Sequence, residues 1–262
     1  MNIDYPRDVS EPERLHRASP LPFSGAGDVD PLRMVSWLTS GVRALRMQPV
    51  LWLGVLLACA DFATLLGFLP LLRPLAVLLA PLVVGGLMFV QNGASGGQSV
   101  SLRDTFAALA RHGNALCMIA LYGVAIVAIG HAVLFAAFHV ALNVSVTAAS
   151  VHNVSISYGG EHGALEGLLG VSVCVVAIAA TCFAPALVML HDMNPHRAMV
   201  ASLSGVMRNW SVTITYLAAL TVVVLMAPMV PLVLRALVLT PLLTAVPLLS
   251  IYGAYRDMFV GR

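Results

Sequence analysis

Residues Gly167-Leu-Leu-Gly-Val-Ser-Val-Cys-Val-Val-Ala-Ile-Ala-Ala-Thr-Cys-Phe-Ala-Pro-Ala-Leu-Val-Met-Leu-His191 contain no Asp, Glu, Lys or Arg. A helix crosses a bilayer with about 20 mostly apolar residues, and this run exceeds that. The same absence of charge holds over residues 74–102, 112–160, 209–234 and 236–255. Water-soluble domains seldom bury several uninterrupted segments of such length. The pattern predicts an all-α membrane protein with several spans.

Composition agrees. Hydrophobic residues make up 59% of the 262 residues and charged residues 10%, with a mean hydropathy of +0.90. A soluble domain carries about 25% charged residues, so this chain has too little polar surface to face water throughout. Every basic residue is Arg. Two readings stay open: guanidinium contacts with lipid phosphate, or the base composition of the gene. Cys59, Cys117, Cys174 and Cys182 all fall in apolar segments, where cysteine behaves as a small hydrophobe. Their spacing suggests neither a zinc site nor a disulfide framework.

Six transmembrane helices fit best, over residues 49–69, 71–90, 115–138, 164–190, 211–230 and 236–255. They pair as three hairpins. Leu69-Pro-Leu-Leu-Arg73-Pro74 forms the first tight turn, and Pro228, Pro231 and Arg235 mark the last. Residues 1–30 are polar, Pro-rich and mixed in charge, without the pattern of a signal peptide. They are expected to be a disordered cytoplasmic tail, and 31–262 a single transmembrane domain.

Arginines set the orientation. Most of them fall in the tail, the loops 91–114 and 191–210, and the C-terminus, whereas the other side holds only Arg73 and Arg235. Both termini are therefore expected in the cytoplasm. The outer loop 139–163 contains no Arg, and its strand-like alternation (Asn143-Val-Ser-Val-Thr, then Val151-His-Asn-Val-Ser-Ile-Ser-Tyr) suggests a small outer hairpin.

Each transmembrane hairpin follows a helix-start signal: Asp30-Pro31, Ser101-Leu-Arg-Asp104 and Asn194-Pro195. The first and last pair an N-cap with proline at the first helical position, and the middle one resembles a capping box. Arg and apolar residues at helical spacing come next. That pattern predicts cytoplasmic interfacial amphipathic helices lying in the headgroup plane. Arg33, Arg43, Arg46, Arg103, Arg111, Arg197 and Arg208 are the candidate lipid-headgroup contacts, with anionic phospholipid the expected partner. Pro31, Arg33, Ser40, Gly41 and Val42 match Pro195, Arg197, Ser204, Gly205 and Val206 at one constant offset. The chain thus reads as three related units, the middle one diverged.

An acid inside a span is a functional candidate. Asp61 lies some twelve residues into the first span, about 18 Å along a helix, toward the outer leaflet. Arg73, His131, Glu166 and Arg235 all fall on that side. Together with Asp61 they form a candidate outer-leaflet polar cluster. It has two readings, a structural ion pair with snorkelling arginines or a titrating transport site. Pro185 predicts a kink, and Gly163-Ala-Leu-Glu-Gly167 a close helix approach. His191-Asp192 with His196 fits no standard metal-ligand spacing. The sequence carries no nucleophile motif, phosphate-binding loop, dinucleotide fingerprint or zinc signature. No metal, cofactor or nucleic acid is expected.

Several stretches carry a resemblance: Arg46-Met-Gln-Pro-Val-Leu-Trp-Leu-Gly54, Leu78-Leu-Ala-Pro-Leu-Val-Val-Gly-Gly-Leu-Met88, Ser101-Leu-Arg-Asp104, Ala184-Pro-Ala-Leu-Val-Met-Leu-His191 with Ala198-x-x-x-Ser202 and Arg208-Asn209, and Tyr252-Gly-Ala-Tyr-Arg-Asp257. In this order they resemble a proteobacterial family of six-span integral inner-membrane proteins, over roughly residues 33–260. The resemblance implies a bacterial inner-membrane location and supplies no activity or site residues. The expected function is non-enzymatic: a lipid-interacting, scaffold or envelope-homeostasis role. The alternative is a small transporter or permease working through the site around Asp61.

Overall fold

The computed structural model describes residues 24–30, 32–47, 52, 54, 73–96, 101–138, 141–146, 154–159, 163–226, 229, 231 and 240–260. Helices come in the order α1 (Arg33–Met47), α2 (Arg73–Ser95), α3 (Leu102–Phe138), α4 (Gly163–Cys182), α5 (Ala184–His191), α6 (Pro195–Arg208), α7 (Trp210–Met226) and α8 (Thr240–Tyr255). A π-helical turn, Arg256–Val260, ends the described chain. Strands β1 (Ala141–Val146) and β2 (Val154–Gly159) pair antiparallel between α3 and α4, with Val144 opposite Ile156. The fold is therefore helical apart from one short hairpin. It falls where the alternation predicted one.

Three helical stretches are long and apolar enough to cross a membrane: Leu78–Ser95, Leu102–Ala137 and Gly167–His191. Apart from Trp52, Gly54, Met229 and Pro231, the expected first span and the turn before the last one lie outside the described residues.

The cap signals work as physical devices. The Asp30 carboxylate accepts the Leu32 N–H at 2.9 Å. Ser101 and Asp104 exchange bonds: the Asp104 N–H donates to Ser101 Oγ, and the Ser101 N–H donates to Asp104 Oδ2. Asn194 accepts the His196 N–H. Each satisfies a donor that the first turn of a helix leaves open.

Beyond the caps, the middle unit departs from expectation, because its Arg-bearing segment is continuous with the span that follows. In the middle unit α3 runs unbroken for 37 residues, about 55 Å. In the last unit α6 and α7 are separate helices that meet at Asn209, whose N–H bonds Gly205 O and whose carbonyl accepts the Thr213 N–H. In α3 the cause of the continuity is the lack of a breaker. His112-Gly113-Asn114 offers one glycine, which costs a helix only about 1 kcal/mol, whereas a proline would cost about 3. α1 does not lie across the bundle either. It runs antiparallel beside α8, where Gly41 meets Val246 and Ser250, and Gly253 meets Trp37 and Ser40.

Packing concentrates at one end. Leu116 and Ile119 of α3, Ala184–Val188 of α5, Ala198 of α6, and Tyr255 and Phe259 are essentially inaccessible. Trp37 and Met88 complete this cluster. The opposite halves of α3 and α4 pack on each other, with Gly130 against Val173 and Gly123 against Thr181. Their outward faces expose Leu121, Ile129, Val133, Phe135, Leu168, Val175 and Ile178. In water this surface would be unfavourable by about 25 cal/mol per Å²; against lipid tails it has no such penalty.

Candidate lipid-facing site

At the packed end, several elements converge on α6. The helix buries Ala198, Met199, Ser202 and Gly205, a stripe at three- and four-residue spacing. It turns His196, Arg197, Val200, Ser204 and Met207 outward.

α6 is fixed first by its contact with the kink between α4 and α5. Pro185 has no N–H and cannot continue the ladder of α4. Two residues earlier the ladder is opened by a side chain. The Phe183 N–H donates to Ser202 Oγ at 3.1 Å, and the Ser202 hydroxyl donates to Ala179 O at 2.7 Å. In an unbroken helix that N–H and that carbonyl would bond each other. A hydroxyl from α6 stands between them, and all three residues are buried. α5 then ends on Asp192, whose left-handed φ of 52° lets the chain turn sharply into Asn194 and Pro195.

Residues 24–30 form the second constraint. The π-turn at 256–260 leaves terminal carbonyls without helical partners. The Gly27 N–H takes Met258 O at 2.8 Å, and the Ser24 N–H takes Phe259 O at 2.9 Å. From the other side Asn209 accepts the Val29 N–H and donates to Gly27 O, both at 2.8 Å. The expected disordered tail therefore does not reach residue 30. Its last residues form a strap held through the backbone groups of Ser24, Ala26, Gly27 and Val29, and residues 1–23 lie outside the described set.

This geometry divides the candidate arginines. Arg208 grips Asp28 with two nitrogens, at 2.6 and 3.0 Å, and donates to Ala26 O. The hydrogen bond from Arg208 holds the Asp28 carboxyl below its usual range. Arg33 pairs with Asp257 at 3.0 Å, and Trp37 Nε1 donates to the other carboxylate oxygen at 2.8 Å. Arg33 and Arg208 are thus engaged within the protein. Arg43, Arg46, Arg111 and Arg197 are exposed, and among the described residues none has an ion pair. Arg103 is exposed near the start of α3.

Two grooves lie beside the unpaired arginines. One, of about 420 Å³, runs along α1 past Val35, Leu38, Thr39 and Val42 to Arg43 and Arg46. The other, of about 490 Å³, lies between the strap and α6 and is lined by Ala26, His196, Arg197, Val200, Ala201 and Ser204.

The outer polar cluster has less support. Asp61 and Arg235 lie outside the described residues. His131 Nδ1–H donates to Val127 O at 2.8 Å within its own helix. Arg73 opens α2 and Glu166 lies in the first turn of α4. Among the described residues, no group of three or more His, Cys, Asp or Glu side chains is placed to hold a metal.

Sequence reasoning missed Ser202, Asn209 and Asp257 as organising groups, although all three stand in the motifs that carry the family resemblance. The chain matches no family model, no curated protein and no solved structure.

Proposed function

We propose that this chain is a six-span integral protein of the bacterial inner membrane with both termini in the cytoplasm. In this reading it is a non-enzymatic scaffold that holds anionic phospholipid through the arginine-bearing cytoplasmic extensions of its spans. The observation that carries the topology is a parity. The strap bonds Asn209 as well as Met258 and Phe259, and its Asp28–Arg208 pair is exposed. An exposed ion pair is more stable in water than in lipid, which supports putting residues 24–33, 208–209 and 257–259 together on an aqueous side of the membrane. On that reading an even number of crossings separates residue 29 from residue 209. Three candidate spans lie between them, so a fourth is needed, which the apolar segment 49–69 would supply. Two further crossings, or none, lie between 209 and 257. The uncharged segments 211–230 and 236–255 favour two.

The lipid role is supported by the groove on α1, where an apolar wall ends at two unpaired guanidiniums. Arginine suits phosphate because its planar fork donates two hydrogen bonds at once.

Single cysteines at positions 24, 150 and 262 in a cysteine-free chain test the topology. An impermeant maleimide applied outside whole cells should label position 150 alone. Labelling of 24 or 262 from outside would overturn the orientation. For the lipid role, Arg43→Gln with Arg46→Gln should reduce co-purified anionic lipid. An unchanged lipid content counts against the α1 groove.

A further inference from the structure

The groove between the strap and α6 is an open surface depression lined by charged, polar and apolar residues, and its role rests on the membrane topology proposed for the chain. We infer that it holds the phosphate headgroup of one anionic phospholipid from the cytoplasmic leaflet. Arg197, His196 and Ser204 would be its polar contacts.

The lining is asymmetric. Arg197, His196 and the Ser204 hydroxyl supply donors, while Ala26, Val200 and Ala201 supply an apolar floor. Asp28, the acid nearest the strap's wall of the groove, is gripped by Arg208. Asp192 is not in the lining of the groove and lies 3.6 Å from His112. Arg208 also takes the Ala26 carbonyl, so it does not compete as an acceptor for the donors of the groove. The Arg197 charge therefore faces the groove without a protein counter-ion among the described residues.

The occupant's shape is set by the surface that continues beyond the groove. Val200, Ser204 and Met207 recur at four- and three-residue spacing and lead to Trp210 at the head of α7. Val200 is 55% exposed, Met207 61% and Trp210 62%. A free ion would gain nothing from this apolar margin. A lipid would use it, with its phosphate at Arg197 and its glycerol and chains along Val200, Met207 and Trp210. Tryptophan is enriched at that depth of a membrane. The strap supplies one wall through Ala26, so the site exists only while residues 24–30 remain docked.

The test uses the full chain in phosphatidylcholine nanodiscs doped with phosphatidylglycerol. Native mass spectrometry then counts the phosphatidylglycerol retained after collisional stripping. Wild type should retain it. Arg197→Gln, alone and with Ser204→Ala, should weaken retention about tenfold, the factor expected on losing one charge-assisted pair. Arg256→Gln, which removes an equal charge elsewhere, should match wild type. Equal retention by Arg197→Gln, with the protein still in the membrane fraction and its near-ultraviolet circular dichroism unchanged, overturns this site and leaves the membrane reading standing. Wild type that fails to enter the membrane fraction overturns both. Displacement of the lipid from wild type by millimolar inorganic phosphate would reassign the groove to a free anion and overturn the lipid identity.

Discussion

Ser202→Ala removes one oxygen and breaks two hydrogen bonds at once. The Phe183 N–H loses its acceptor and Ala179 O loses its donor. Ser202 itself is 0% exposed, so water cannot replace the hydroxyl without rearrangement. Two buried backbone groups left open would cost about 1–3 kcal/mol each. Interhelical hydrogen bonds measured in membrane proteins average only about 0.6 kcal/mol and reach about 1.7. The ranges overlap near 2–3 kcal/mol, and that is the expected loss. One escape route would reduce it: the orphaned N–H and carbonyl could bond each other if α4 straightened. Pro185 opposes this, because its ring clashes with the carbonyl four residues earlier. The decisive experiment is therefore a double-mutant cycle. In the Pro185→Ala background the ladder can close, and Ser202→Ala should lose about half its effect. Unfolding equilibria in bicelles, followed by steric trapping, give the four free energies. A Ser202→Ala loss below about 0.5 kcal/mol, or a fully additive cycle, would refute the account of the hydroxyl as the bridge across a proline-opened helix.

The same packing sets other expectations. In Gly205→Ala the new Cβ would lie 2.5 Å from the buried Phe259 ring, and in Gly41→Ala 2.8 Å from Val246 O. Each should destabilise by about 1–3 kcal/mol in the same unfolding assay, and a neutral result at both would contradict the close approach of α1 and α6 to the C-terminal helix. Gln91 is buried and its Oε1 has no partner among the described residues, while its amide donates to Leu249 O. Gln91→Leu loses one bond worth about 1 kcal/mol but removes an open carbonyl of similar or larger penalty, so stability should stay level or rise; a loss above about 2 kcal/mol would point to a second partner. Arg208 depresses the Asp28 pKa, so the strap's ion pair is complete above the ordinary aspartate value of about 3.9 and is lost as pH falls through the lower folded value. The Gly27 and Val29 amide resonances should therefore shift only below about pH 4, and a midpoint at or above that value would contradict the pairing.

Local physics is legible in the sequence, and distant pairing is not. The capping residues at 30, 101 and 194 act within three positions of themselves, and each forms the bond its chemistry suggests. The strand alternation around 143 and 156 likewise depends on neighbours. The repeat match is informative too, since Gly41 and Gly205 both mark close approaches. By contrast, Arg33 and Asp257 are 224 positions apart, and Arg208 and Asp28 are 180 apart. Nothing local distinguishes these arginines from Arg43 or Arg197, so in sequence all read as lipid contacts. The break expected within α3, between its Arg-bearing start and its span, rests on a change in polarity. Polarity does not stop a helix; proline, glycine pairs or inserted groups do. Ser202 looks in sequence like any helical serine, and only the kink at Pro185, on another helix, gives it a role.

The strap also imposes an order on biogenesis. Its residues leave the ribosome early, yet Asn209 follows Val29 by 180 positions. At about 5–20 residues per second that interval is roughly 10–40 seconds. The carbonyls of Met258 and Phe259 arrive later still. Until then the amides of residues 24–29 must be kept by water or a chaperone, and the groove beside α6 has no second wall. A chain stalled before residue 258 would keep its spans but could not fasten its beginning to its end. It would leave residues 24–29 unsecured and open to proteolysis, so that incomplete copies differ from finished ones.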